Sequence, residues 1–286
     1  MVYILYNPLS SEGTARKYVN EALTKFNGEK IETQSVLKIK EYKEFFSSID
    51  KEDKVVLLGG DGTINVLINQ MQGEKINNEL FIYKAGTGND FLRDIFDKMP
   101  EDGTLVKLNE YLEKLPVVTV NDKEYFFLNG VGYGLDGKCC TIAEEQRAKG
   151  KTDINYTSIA IKLLMFTYKP TDATVIVDGE EYKYKNVWIS PIMNGRYYGG
   201  GMKITPDQDR KGDVLSTCIF HGSNKLKTLI NFPKIFEGKH VGCKDIIDIY
   251  SGHEITIRLD SPQDVQIDGE LIRDVKEITG RKYSDM

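Results

Sequence analysis

Leu57-Leu58 ends an apolar run directly against Gly59-Gly60-Asp61-Gly62-Thr63, and a helical pattern follows without a gap. A strand that turns through glycines into a helix suits an anionic ligand. Glycine lets the backbone take positive φ and come close to a ligand, and the first turn of the helix offers unpaired N–H groups and a positive dipole end. The segment reads as a phosphate cradle, with Asp61 as a group for a metal or a proton. A plain tight connection is the competing reading, so the neighbouring sequence decides. Leu80-Phe81-Ile82-Tyr83 is followed by Gly86-Thr87-Gly88-Asn89-Asp90-Phe91, again a strand, a glycine turn with an acid, and a helix start. Two such turns on neighbouring strands would face one cleft.

The pattern around these turns alternates strand and helix. Residues 2–6 read as a buried strand, and Ala15, Tyr18, Val19, Ala22, Leu23 and Phe26 recur at the spacing of an amphipathic helix. Strands at 31–39, 54–58 and 80–83 follow, separated by helices at about 41–49 and 63–71, the latter with Ile64, Leu67, Ile68 and Met71 on one face. This predicts a mostly parallel sheet with covering helices, whose ligands bind beyond the carboxyl ends of the strands, where both glycine turns sit. From about residue 115 the texture becomes strands and tight turns. Segments 117–120 and 125–131 flank Asn121-Asp122, and 173–177 and 182–185 flank Asp178-Gly179, a hairpin signal. Helices are expected near 153–168 and 223–237, and further strands at about 246–250, 254–259 and 264–267. The expected units are 1–115, an α/β domain, and 116–286, a β-rich domain whose last residues could return to the first.

Composition excludes more than it selects. With 286 residues, 40% of them hydrophobic, the chain can bury a large core, and no apolar run approaches the roughly 20 residues that span a bilayer. The N-terminus has no signal-peptide pattern, so a cytoplasmic location is expected. Four cysteines without Cys-x-x-Cys spacing indicate neither a zinc site nor a disulfide framework. A net charge of −5 disfavours nucleic acid as a partner, although local basic patches could still meet an anionic membrane.

Other catalytic patterns find little support. The phosphate loop ending in Gly-Lys-Ser/Thr is absent, the three histidines lack metal-ligand spacing, and no nucleophile elbow appears. Gly132-Tyr133-Gly134-Leu135-Asp136-Gly137 matches Gly-x-Gly-x-x-Gly, but it falls within the β-rich texture rather than opening a βαβ unit, which argues against a dinucleotide site. The stretch Ile159 to Phe166 is apolar around most of a helix, where core packing is preferred to an acyl-chain wall.

Gly-Gly-Asp-Gly-Thr followed by Gly-Thr-Gly-Asn-Asp-Phe resembles the diacylglycerol kinase catalytic domain family, which includes sphingosine, ceramide and bacterial lipid kinases, with NAD kinases as distant relatives. The likeness continues through Asn7-Pro8, Gly132 to Asp136, Asn194 to Pro206 and Asp268-Gly269-Glu270. It implies an α/β domain with a mostly parallel sheet, then a predominantly antiparallel β-sandwich-like domain, with the active site in the cleft between them. The implied activity is transfer of the ATP γ-phosphoryl group to a hydroxyl of a membrane lipid such as diacylglycerol, by a peripheral protein. A homodimer is also entertained. Asn7, Gly13, Gly59, Gly60, Gly62, Thr63, Gly86, Thr87, Gly88 and Asn89 are the candidate nucleotide contacts. Phosphoryl transfer spreads charge over the phosphoryl oxygens, so Mg²⁺ is expected on Asp61, Asp90 and Asp136. The plainer readings make Asp90 a helix cap and Asp136 a turn residue. Asp268 is the proposed general base, with Glu270 and Asp61 as further catalytic candidates, although Asp178-Gly179-Glu180 repeats the tripeptide in a structural setting. Two departures stand out: Ser11 replaces a glycine, and Lys211-Gly212-Asp213 stands where relatives often have Asp-Asp-Gly. A soluble acceptor, as in NAD kinase, and a regulatory protein without turnover are the alternatives.

Overall fold

The computed structural model describes residues 1–8, 15–85, 88–151 and 154–283, and the chain divides into two compact units, Met1–Leu115 and Pro116–Met286. The first runs β1 (Val2–Tyr6), α1 (Ala15–Lys25), β2 (Ile31–Ser35), α2 (Tyr42–Ser48), β3 (Lys54–Gly59), α3 (Asp61–Met71), β4 (Glu79–Lys84), α4 (Asp90–Phe96), β5 (Leu105–Lys107) and α5 (Asn109–Leu112). Its sheet has the order β2-β1-β3-β4-β5, parallel except for β5, which pairs antiparallel with β4. Strand order reverses between β1 and β3, the kind of switch point at which open α/β sheets bind ligands. Val2, Ile4, Val56 and Leu58 pack against Ala22 of α1 and Phe26 just past its end. Val55 and Leu57, on the opposite face by the pleat, are buried too. The strand expected over 31–39 stops at Ser35, whose hydroxyl accepts from Leu37 N at 3.3 Å and caps a short 3₁₀ turn, Val36–Lys38.

The second unit contains β6 (Pro116–Val120), β7 (Lys123–Phe126), β8 (Gly130–Tyr133), α6 (Leu135–Ala148), α7 (Tyr156–Lys162), β9 (Thr171–Val177), β10 (Glu180–Val187), β11 (Ile192–Met193), β12 (Tyr197–Tyr198), β13 (Met202–Lys203), β14 (Leu215–Phe220), α8 (Lys225–Asn231), β15 (Ile247–Gly252), β16 (Glu254–Ile267) and β17 (Glu270–Lys282). The main path is β15-β14-β11-β8-β16-β17-β6-β7, antiparallel throughout, with β9 paired to both β10 and β16. Residue pairs with positive φ close its hairpins, as the sequence leads one to expect: Asn121 (48°) and Asp122 (62°), Asp178 (49°) and Gly179 (87°), Asp268 (47°) and Gly269 (99°). Lys282 lies opposite Pro116, which ties the end of β17 to the start of β6.

The strands expected at 254–259 and 264–267 are one continuous strand, β16, and two further departures from the sequence reading bear on the site residues. The strand expected over 125–131 is broken, because residues 127–129 leave the ladder between β7 and β8. The Gly132–Gly137 motif does open a helix, α6, which places Leu135, Cys139 and Ala143 at i, i+4, i+8 in the core beside Trp188 and Phe220. The glycines of the motif are filled by protein. A Cβ on Gly137 would sit 1.8 Å from Asp264 O and one on Gly132 2.6 Å from Gln266 Nε2, so these positions serve close helix–strand packing. The dinucleotide reading fails for that reason rather than for want of a helix.

Candidate functional site

In the first unit the two glycine turns lock onto each other. Asp61 N donates to Gly88 O at 2.8 Å, and the Asp61 carboxylate accepts from Asp90 N at 2.7 Å and Phe91 N at 3.3 Å. Asp61 therefore caps α4 from across the sheet edge, supplying the acceptor that the first turn of a helix lacks and placing negative charge at its positive end. Asp90 opens α4 with its side chain nearly buried and 4.0 Å from Arg93 Nε.

The glycines divide by what surrounds them. A Cβ on Gly60 would lie 1.9 Å from Gly88 O, and one on Gly59 2.1 Å from Thr63 Oγ1, so packing requires both. Among the described residues, nothing lies within 4 Å of a Cβ built on Gly62 or on Gly88. Those two glycines keep space open at the carboxyl edge of the sheet, where the amino end of α3 points. Thr63 N and Ile64 N both return to Gly60 O, at 3.0 and 3.3 Å. Asn7 follows β1 directly, at the same edge, and Asn89 is buried next to Gly60. Gly13, Gly86, Thr87 and Ser11 lie outside the described residues.

Asp268 in the second unit occupies a comparable clamp. Its Oδ1 accepts from Asn129 N at 2.9 Å and Gly130 N at 3.1 Å, its Oδ2 accepts from Leu128 N, and its own N–H donates to Gly130 O. This explains the broken strand: the N–H groups that leave the ladder at 128–129 turn to a carboxylate instead. Asn194 Nδ2 and Arg210 Nη1 donate to Leu128 O at 2.9 and 3.2 Å, and Arg210 Nη2 donates to Asn129 Oδ1 at 3.0 Å. Lys282 Nζ reaches Asn194 Oδ1 and, at 2.9 Å, Arg210 O. A polar cluster with two cations thus surrounds the Asp268 turn. Arg210 and Lys282 escaped the sequence reading, since neither sits in a motif and only the fold brings Arg210 to residue 128 and Lys282 to Asn194 and Arg210. Glu270 opens β17 and is exposed. At the duplicate turn, Asp178 accepts from Glu254 N at 2.8 Å and also from the His253 backbone, and these hydrogen bonds, Glu254 first, lower its carboxyl below the usual range.

Asp136 stands in the first turn of α6, and its Oδ2 accepts from Tyr198 OH at 2.7 Å. Burial pushes its carboxyl up to about 7, with the Tyr198 hydrogen bond opposing the rise. The nearby thiols of Cys139 and Cys218 are raised by burial as well. A buried carboxyl that favours its neutral form is a poor ligand for Mg²⁺. Asp61 already has both oxygens on backbone donors, and among the described residues no three His, Cys, Asp or Glu side chains gather around a common point. The three acids therefore do not fit a protein-held Mg²⁺ cage. Lys211-Gly212-Asp213 follows an Asp209-headed turn, with Lys211 N on Asp209 Oδ1 at 3.0 Å.

A parallel sheet with a switch point and interlocked glycine turns, followed by an antiparallel β unit, is the plan expected of lipid kinases. The comparisons agree. Residues 1–120 match the diacylglycerol kinase catalytic domain, and residues 129–278 match the YegS C-terminal NAD kinase beta sandwich-like domain. The chain belongs to the diacylglycerol kinase catalytic-domain family of lipid kinases, a family of phosphotransferases. It is 24% identical over 280 residues to a diacylglycerol kinase of Mycobacterium tuberculosis, covering 94% of this chain and 88% of that one. With a Staphylococcus epidermidis protein assigned as a lipid kinase it shares 30% identity over 233 residues, 77% of this chain and 70% of the relative. A solved Bacillus anthracis diacylglycerol kinase superposes with a TM-score of 0.64 over 99% of this chain and 96% of that one, at 20% identity, a likeness of fold. No helix among the described residues is long and apolar enough to cross a membrane.

Proposed function

We propose that the protein is an ATP-dependent lipid kinase that transfers the γ-phosphoryl group to a hydroxyl of a membrane lipid of the diacylglycerol type. The observation that carries the nucleotide half is the pair of interlocked turns at the carboxyl edge of the parallel sheet, with open space at Gly62 and Gly88. Gly62 in the first turn of α3 takes the phosphates nearest the backbone, the N–H groups of Asp61, Thr63 and Ile64 being held by Gly88 O and Gly60 O, and Asp61 sets the angle between the two turns by holding α4. Asn7, Thr63 and Asn89 lie along the same edge and supply polar contacts to the nucleotide. Mg²⁺ belongs to this proposal as a cation carried by water and nucleotide phosphates, in keeping with its reluctance to shed its hydration shell.

Asp268 is the proposed general base. Backbone donors of Leu128, Asn129 and Gly130 fix the orientation of the carboxylate, which positions it to take a proton from an acceptor hydroxyl. Arg210 and Lys282 stand beside the same loop and place positive charge in the acceptor region. The test is transfer of labelled γ-phosphate to diacylglycerol, ceramide, sphingosine, NAD and other soluble alcohols by the purified protein. Incorporation into a lipid alone supports the proposal. Incorporation into NAD alone, or into none, replaces it with one of its two alternatives.

A further inference from the structure

Exposed apolar side chains in the second unit gather on one surface. Helix α7 continues through Leu163–Thr167 as a π-helical turn, which buries Ile159, Ala160, Leu163 and Leu164 against the core. Its other face carries Ile161 (39% exposed), Met165 (46%) and Phe166 (70%), and α8 adds Leu226 (68%) and Ile230 (62%) at an i, i+4 spacing. The sequence reading of this helix as core is therefore right for one face and wrong for the other. Lys225 Nζ lies 3.5 Å from Phe166 O, which joins the two elements side by side.

The charge around this surface runs against that of the chain. The protein as a whole has a net charge of −5, yet residues 156–169 and 225–236 contain Lys162, Lys169, Lys225, Lys227 and Lys234 and no aspartate or glutamate. Lys227 pairs with Asp245 from outside these segments, while Lys162 and Lys169 are exposed. Apolar side chains rimmed by lysine suit the boundary between anionic headgroups and acyl chains. The lysines meet lipid phosphate, and the large side chains enter the interface.

We infer that Ile161, Met165, Phe166, Leu226 and Ile230, with Lys162, Lys169 and Lys225, form a docking surface for an anionic lipid bilayer. The inference rests on the lipid-kinase reading for its purpose and on exposure and charge for its location. A peripheral kinase must bring its acceptor site to the membrane, and this surface would hold the second unit there without a spanning helix.

The experiment is co-sedimentation of the full chain with phosphatidylcholine vesicles, with and without phosphatidylglycerol, at low and high salt. The wild type should partition onto the anionic vesicles and lose most of that binding at high salt. The double variant Leu226→Ser/Ile230→Ser and the triple variant Lys162→Gln/Lys169→Gln/Lys225→Gln should each lower partition about tenfold or more. All five side chains are exposed, and unchanged melting of Trp188 fluorescence would show that the variants fold. Unchanged partition in both folded variants overturns the inference. So does loss of self-association in the double variant, by sedimentation equilibrium, with vesicle binding intact, since the surface would then join two copies of the chain. Vesicle binding needs no turnover, so a protein that docks but phosphorylates no lipid sinks the kinase reading alone. One that phosphorylates dispersed lipid yet ignores anionic vesicles sinks the docking surface alone.

Discussion

Replacing Asp268 with asparagine tests whether its carboxylate holds the second unit together. Asparagine tolerates the left-handed conformation at φ 47°, so the hairpin itself should not suffer. The amide can keep one oxygen on Asn129 N and Gly130 N, but it turns an NH₂ group toward Leu128 N, a donor against a donor, beside a buried residue. A donor left without an acceptor costs about 1–3 kcal/mol, and loss of charge on the other two bonds adds roughly 0.5–1 kcal/mol each, for a total of about 2–5 kcal/mol. In a unit of this size that corresponds to a fall in Tm of about 5–15 °C. Asp178→Asn is the control: it has the same backbone geometry, and its backbone donors, Glu254 N and His253, lie at a more exposed turn where water can replace the carboxylate, so its cost should stay below about 1 kcal/mol. Trp188, the only tryptophan, is buried in the second unit and reports its unfolding by fluorescence. Equal melting of the two variants would refute the clamp. Turnover per folded molecule then addresses the base: a fall of about 10²–10⁴ in Asp268→Asn and none in Asp178→Asn supports it, and small equal effects remove it.

Three further outcomes are expected. Gly62→Ala, whose Cβ meets open space on a helix, should leave Tm unchanged or slightly raised while weakening ATP binding at least about tenfold by calorimetry; Gly60→Ala should instead destabilise the first unit, because its Cβ would collide with Gly88 O. Asp61→Ala should cost about 1–2 kcal/mol as a lost cap of α4, visible as faster amide exchange at Asp90 and Phe91 with or without Mg²⁺; unchanged exchange would remove the cap. Asp136 titrates near 7 in the fold against 3.8 ordinarily, so its contribution is fully present below about 4 and is lost as pH rises towards 7. Asp136→Asn cannot ionise, so its stability relative to wild type should improve by about 2–3 kcal/mol between pH 5 and 7, and a flat difference in denaturation midpoints would count against the buried acid.

The parts of the fold legible in the sequence are those set by neighbours along the chain. Strand-to-helix glycine turns, the i, i+4 apolar faces of α1 and α3, and the Asn-Asp and Asp-Gly hairpins all declare themselves within a few residues. What stayed hidden depends on distant partners. Residues 125–131 look like one strand because Phe127 and Leu128 are apolar, and only the carboxylate of Asp268, 140 residues after Leu128, draws them out of the ladder. Helix α6 was missed because its first turn is written in glycines, which in isolation signal turns. Those glycines are required by Asp264 O and Gln266 Nε2, again more than a hundred residues away.

The acids of the motifs carry a second lesson, about how chemistry is read from residue type. Asp61 and Asp268 drew attention as carboxylates beside glycines, which suits metal binding or proton transfer. In the fold each gathers backbone N–H groups from another segment: Asp61 from the start of α4, Asp268 from the 128–130 loop. Backbone N–H groups that leave a ladder or open a helix have no backbone acceptor of their own, and a carboxylate is the strongest acceptor available to them. An acid beside such loops is therefore what the loops need in order to stand still, whether or not a nucleotide is present. Loss of activity on removing either acid then has two causes, a lost reacting group or a displaced loop, and turnover alone cannot separate them. Stability measured beside turnover can, because a lost reacting group lowers turnover per folded molecule beyond what the fall in Tm accounts for, and for Asp61 that makes the exposure of α4's first amides the deciding quantity.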